Sequence, residues 1–184
     1  MKILVVVDMQ NDFIDGSLGT KEAQAIVPNV EKKIAKYVKN GDIIIYTRDT
    51  HPDYYLNTME GKKLPVKHCI GATKGWRIPD KLMPRADYDN HCVIDKFTFG
   101  AYYLPKNLRE FCIDRGYELT DVTEIEVVGL CTDICVVSNT LLLKSYFYDL
   151  CDISVDATCC AGVTPETHEA ALKTMEMCQI NVKR

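Results

Sequence analysis

The sequence predicts an α/β fold in which a parallel sheet is sandwiched between helices, and three observations carry that prediction. Short β-branched apolar runs recur along the chain, the first at Lys2–Val7 (KILVVV). Segments whose apolar residues recur at helical spacing lie between them. The chemistry-bearing residues fall where the apolar runs end, which is the carboxyl edge where open α/β sheets bind ligands.

Lys2–Val7 is apolar on both faces, as a central parallel strand requires, and ends in Asp8-Met9-Gln10-Asn11-Asp12-Phe13. Gly16 to Glu22 reads as loop. A helix is expected after Pro28, because Val30, Ile34, Tyr37 and Val38 share one face and Gly41 closes it. Asp42–Arg48 (DIIIYTR) is the second strand and delivers Asp49-Thr50-His51-Pro52. Residues 52–90 are rich in proline and glycine and hold no clear long element; a loop of that length in a compact domain is usually functional. Cys92–Asp95 is the third strand, with Lys96 at its end, and Pro105–Arg115 is a short helix closed by Gly116. Ile125–Val128 is the fourth strand, ended by Gly129. Thr132-Asp133 then reads as the N-cap of a long helix, which places Cys135 in its first turn. Asp152–Val155 is the fifth strand, followed by Asp156–Cys160 as a loop. Thr164-Pro165-Glu166-Thr167 opens the last helix, and Ile180–Val182 is read as a sixth strand.

Length and composition narrow the function. A chain of 184 residues suits one domain, residues 1–184, with enough length to bury a core. The 47% hydrophobic and 26% charged residues argue against disorder. A net charge of −4 without a Lys/Arg block speaks against nucleic acid as a partner. The opening MKILVVVDMQ is no signal peptide, since Asp8 interrupts it, and no run is long enough to span a bilayer. Nine cysteines, an odd number without a secretion signal, fit reduced thiols in a cytoplasm.

Two groups of residues point to chemistry. Cys135 beside orphan helix N–H groups is expected to have a lowered pKa and to be the most reactive thiol of the chain. Asp49, His51, Glu60 and His68 are four oxygen or nitrogen donors within a short stretch, a set suited to zinc, manganese or iron(II). His91 and His168 lack such company and read as structural or solvent-facing. Trp76 is expected to pack the long loop. Singly, Asp8 is a turn residue, Lys96 a solvated charge and Cys135 a small buried hydrophobe. Their shared position at one sheet edge is what points to a cysteine-dependent active site.

VDMQNDF at 7–13, RDTHP at 48–52, Lys96 after a strand and GLCTDICV at 129–136 together resemble the isochorismatase-like cysteine hydrolases. The D-x-H pair followed by Glu60, and by His68 in LPVKHCIGATKG, is similar to the nicotinamidase branch of that family. The resemblance implies a Rossmann-like three-layer αβα sandwich around a six-stranded, mainly parallel sheet. It implies Asp8, Lys96 and Cys135 as a catalytic triad, and Asp49, His51, Glu60 and His68 as ligands of one divalent transition metal, zinc first and manganese or iron as alternatives. It further implies a cis peptide at Leu130–Cys131 and an oxyanion site at the backbone N–H groups of Cys131 and Cys135. The expected substrate is a small carboxamide, nicotinamide, placing the chain in NAD salvage, and a homo-oligomer is a family expectation. Phe13, Leu18, Phe99 and Tyr102 are expected to wall the ring. Three departures from the family pattern stand out: Cys131 for a small apolar residue, Thr50 for a frequent tryptophan, and Ala72 where a Gly-Thr pair would begin. Rival readings are an amidohydrolase of carbamoyl or ureido compounds, a non-catalytic binding homologue, and a structural zinc site built from Cys131, Cys135, Cys159 and Cys160.

Overall fold

The computed structural model describes residues 1–184. Six parallel strands lie in the order β3-β2-β1-β4-β5-β6, with β1 at Lys2–Val7, β2 at Ile43–Asp49, β3 at His91–Lys96, β4 at Glu124–Leu130, β5 at Asp152–Ala161 and β6 at Asn181–Lys183. This order reverses direction between β1 and β4, and the crevice at such a switch point is where open sheets take ligands. No helix is long and apolar enough to cross a membrane.

Strand periodicity divides the core in two. Ile3, Val5 and Val7, with Ile43, Ile45, Ile125, Val127, Ile153 and Val155, face one side of the sheet. Three helices pack there: α4 (Leu104–Asp114), α5 (Val137–Tyr146) and α6 (Pro165–Met177). Leu4, Val6, Ile44, Tyr46, Val128 and Leu130 face the other side, against α2 (Lys21–Asn40) and the short α1 (Asn11–Ile14). Successive side chains of a strand point to opposite faces, so the unbroken apolar runs seen in the sequence are what a sheet covered on both faces needs. The long loop contributes only α3 (Met59–Lys63) and two single turns at Tyr55–Asn57 and Asp80–Leu82.

Three boundaries differ from the sequence reading. Helix α2 begins at Lys21, not after Pro28: the Thr20 side chain accepts from Ala23 N, and the apolar stripe of Ala23, Ile26 and Val27 runs through the proline. Strand β5 extends to Ala161, because a bulge lets the supposed loop rejoin the sheet, with Gly129 opposite Cys160 and Leu130 opposite Ala161. Thr132 and Asp133 do not cap α5. Residues Thr132–Val136 form a π-helical turn, and the Thr132 side chain reaches His168 in α6 while Asp133 reaches Val163 in the β5–α6 connection.

At the amino edge of the sheet the carboxylates of Glu124 and Glu126 are held by cations. Lys2 lies 2.7 Å from Glu124 and Ser154 donates to it at 2.6 Å, while Lys183 contacts both acids and Tyr37 donates to Glu126 at 2.7 Å. Burial opposes ionisation of Glu124, but Lys183 and Lys2 outweigh it and bring its pKa down to about 2. A depressed folded-state pKa gives stability that is present above the ordinary glutamate value and lost as pH falls through the folded one. Glu124→Gln should therefore cost on the order of 1–2 kcal/mol at pH 7, after discounting for solvent screening. Urea midpoints of the two proteins should converge as pH approaches about 2.

Candidate active site

The site forms where β1, β2, β3 and β4 end. Asp8 follows β1 with a positive φ of 48°, a backbone region that non-glycine residues rarely occupy and that clusters at functional sites. Thr47 Oγ1 donates to Asp8 Oδ1 at 2.8 Å, and Lys96 Nζ lies 2.8 Å from Asp8 Oδ2. Lys96 Nζ also reaches Asp49 Oδ1 at 3.2 Å and Cys135 Sγ at 3.5 Å. Strand β4 can approach this closely because Gly129 has φ 123° and a Cβ there would stand 2.1 Å from Val7 O. Asp8, Lys96 and Cys135 are thus brought together, each no more than 6% exposed. The Leu130–Cys131 peptide is cis.

The electrostatics correct one expectation. Burial raises the Cys135 thiol well above the ordinary value and the Asp8 charge adds to this, against the pull of Lys96. The helix-terminus argument for a lowered pKa fails because Cys135 sits in a buried π-helical turn rather than at a solvated α-helix start. Burial also raises Asp8, with Lys96 reversing only part of the effect. Asp49 is raised by burial, but His51 and Lys96 more than offset that and leave it below the ordinary range. Two buried carboxylates thus face one ammonium, and His51 stands against the second of them.

The donors Asp49, His51 and His68 converge, all three buried. Asp49 Oδ2 lies 2.8 Å from His51 Nε2 and 3.6 Å from His68 Nε2. Glu60 Oε1 stands 3.8 Å and 3.9 Å from the same two nitrogens, on a side chain 25% exposed. His68 Nδ1 lies 2.8 Å from Val66 O, so it donates there and leaves Nε2 with a lone pair facing the cluster. His51 Nε2 is buried without a hydrogen-bond partner, despite the short distance to Asp49. An orphaned imidazole nitrogen, a second imidazole nitrogen beside it and two carboxylates fit a divalent cation. The donors that gather are these; Cys131, Cys135, Cys159 and Cys160 form no such cluster.

A cavity of 250 Å³ opens onto both groups. Its lining includes Asp49, Glu60 and His68 together with Cys131 and Cys135. Phe13, Leu18 and Phe99 wall it as expected, joined by Leu64, Ile134 and Val163. Tyr102 does not. It is 74% exposed and packs edge-to-face on Tyr103, beyond Ala101, whose N–H is tied to Asn139 Oδ1 at 2.8 Å.

Several supporting residues escaped the sequence reading. Gln10, fully buried, accepts from Asp49 N at 2.7 Å and donates to Asp49 O at 2.9 Å and Trp76 O at 2.8 Å. Asn139 Nδ2 donates to Cys135 O at 2.8 Å. Asp12 Oδ2 accepts from Cys69 N at 2.7 Å, pinning the loop that carries His68. Tyr55 backs both imidazoles, with ring centroids 4.6 Å and 5.0 Å away. Trp76 packs as expected, under the Arg48 guanidinium and donating to Thr50 Oγ1. His91 is structural, bonded to Tyr88 O at 2.6 Å, whereas His168 contacts Thr132 at 2.8 Å. Ala72 takes φ 65° in the same loop, a conformation that suits glycine. Ala72→Gly should raise stability by about 0.5–1 kcal/mol, read as a higher urea midpoint.

This sheet with its carboxyl-edge site defines a family: residues 2–183 match the Isochorismatase domain, and the chain belongs to it. Among its relatives, a probable inactive nicotinamidase of Arabidopsis thaliana is 30% identical, over 98% of this chain and 89% of that one. The nicotinamidase/pyrazinamidase of Mycobacterium tuberculosis is 27% identical, over 99% and 98%. The crystal structure of Pyrococcus horikoshii pyrazinamidase in complex with zinc matches with a TM-score of 0.79 and 26% identity, over 100% and 98% of the two chains.

Proposed function

We propose that the chain deamidates nicotinamide to nicotinate and ammonia, with Cys135 as nucleophile and the Asp49, His51, Glu60 and His68 group holding a divalent metal. One observation carries this reading: Lys96 bridges Asp8, Cys135 and Asp49, so a thiol held beside its base opens onto the same small cavity as Asp49, Glu60 and His68. An amide is a poor electrophile with a poor leaving group and needs a nucleophile, an acid for ammonia and an oxyanion site. Cys135 Sγ attacks the carbonyl carbon while Asp8 takes the thiol proton, which the raised thiol pKa requires. Asp8 returns that proton to the nitrogen as the C–N bond breaks, leaving a thioester. Water then attacks the thioester carbonyl as Asp8 takes its proton, and as the C–S bond breaks Asp8 returns the proton to the sulfur, which releases the acid and restores the thiol. Lys96 holds the carboxylate and the sulfur at their distances and balances charge. The backbone N–H groups of Cys131 and Cys135 serve the oxyanion. When bound, the metal supplies a Lewis-acid site for a ring nitrogen. Phe13, Leu18 and Phe99 flank the flat ring.

The test is ammonia release by the metal-replete protein from nicotinamide, pyrazinamide, benzamide and a linear ureido compound. Preference for the two ring-nitrogen amides supports the reading. Preference for the ureido compound moves the chain to another branch of the family. No release from any amide makes it a binding homologue.

A further inference from the structure

The turn that carries Cys135 has its own backbone bonds, from Ile134 N and Val136 N to Cys131 O, and is held from outside as well. Its two polar residues, which a regular helix start would use as caps, are spent on contacts to another element. Thr132, fully buried, places Oγ1 2.8 Å from His168 Nδ1. Asp133 accepts from Val163 N at 3.0 Å and 3.2 Å, and Val163 is itself a wall of the substrate cavity.

His168 is built into that position. The reciprocal Thr164 and Thr167 cap fixes the first turn of α6, and His168 N bonds to Thr164 O at 3.0 Å. Gly162 leaves the room for it, since a Cβ there would stand 2.9 Å from His168 Cβ. The direction of the bond follows from the surroundings. Burial lowers the His168 pKa against the opposing charges of Glu169 and Asp133, with Arg184 acting in the same sense as burial, so the imidazole is neutral. Its Nε2 faces Glu169 Oε1 at 3.9 Å, which favours the proton there and leaves Nδ1 to accept from the Thr132 hydroxyl.

We propose that His168 is a positioning residue for the deamidation, holding the Cys135 turn through Thr132 so that the thiol keeps its place against Asp8 and Lys96. The proposal rests on the cysteine-hydrolase reading above and adds a residue outside the triad. π-helical turns occur mostly as single turns at functional sites, and this one is stapled from outside in addition to its own backbone bonds. Release of the staple displaces the nucleophile without touching the metal donors or the ring-flanking Phe13, Leu18 and Phe99. The expected signature is therefore a loss in kcat rather than in KM.

The test uses the full, metal-replete chain. With nicotinamide, Thr132→Val and His168→Ala should each lower kcat about tenfold to a hundredfold and leave KM within about twofold. The double variant should be no slower than either single one, since the two groups act through one bond. Thr132→Ser and His168→Asn, which keeps an acceptor in the place of Nδ1, should recover most of the rate. Nitrogen NMR of the imidazole should show Nδ1 unprotonated in the wild type and its resonance displaced in Thr132→Val. Losses in KM alone, additive losses, a His168→Asn protein as slow as His168→Ala, or a protonated Nδ1 overturn the clamp. If the wild type releases no ammonia, the nicotinamidase reading falls and alkylation of Cys135 by iodoacetamide takes the place of kcat. A rate changed at least about threefold by Thr132→Val and restored by Thr132→Ser then supports the clamp, and an unchanged rate overturns it.

Discussion

Cys135→Ala should abolish ammonia release from nicotinamide, by at least about four orders of magnitude, while the protein stays folded. Removing one sulfur from a residue with little exposed surface leaves the surrounding sheet intact, so circular dichroism and the urea midpoint should change little. Asp8→Asn should be nearly as inactive, because burial raises the thiol and Asp8 is the carboxylate that bonds to it. Its effect should not add to that of Cys135→Ala, since the two act as a unit. Lys96→Met differs in kind. It leaves Asp8 and Asp49 as buried carboxylates without their cation, and loss of one partner of a buried pair costs about 3–5 kcal/mol. That variant should be both inactive and destabilised, and the comparison separates electrostatic support from chemistry.

The second large effect concerns the metal. Benzamide has the size and shape of nicotinamide but offers no ring lone pair. Nicotinamide should exceed it by about tenfold to a hundredfold in kcat/KM, the worth of one lost polar partner or somewhat more. Chelation, or His51→Ala, should erase that preference while Cys135 remains open to alkylation. Glu60→Ala tests the outermost donor, because Glu60 stands farther from the imidazoles than Asp49 does from His51. It should weaken metal affinity, measured by competition with a chelating dye, more than it weakens thiol reactivity. Unchanged affinity makes Glu60 a wall of the cavity and nothing more.

The elements that could be read from sequence were those whose signal is local. KILVVV and DIIIYTR are unbroken apolar runs because the sheet is covered on both faces, and each strand end delivered its polar residue to one edge. What could not be read depended on groups far apart in the chain. Pro28 looked like a helix start, yet the stripe it interrupts begins at Ala23 and is held by burial against the sheet. Thr132 and Asp133 have the chemistry of caps, and only the approach of α6 diverts them. The direction of the Cys135 shift could not follow from a helix terminus, because burial and the Asp8 charge outweigh the pull of Lys96 and decide it. Gln10 and Asn139 gave no signal, since an amide that braces a distant backbone looks in sequence like any polar side chain. Phe99 and Tyr102 are three residues apart and equally aromatic, and nothing in the local sequence tells that Phe99 lines the cavity while Tyr102 is exposed.

The central claim is an acyl group carried on Cys135, and partitioning with hydroxylamine tests it most directly. A thioester transfers its acyl group to hydroxylamine in competition with water. Nicotinohydroxamate should therefore appear at the expense of nicotinate, without a fall in ammonia release, and both products should vanish in Cys135→Ala. Nicotinate as the sole product at every hydroxylamine concentration, with turnover surviving in Cys135→Ala, would contradict the account.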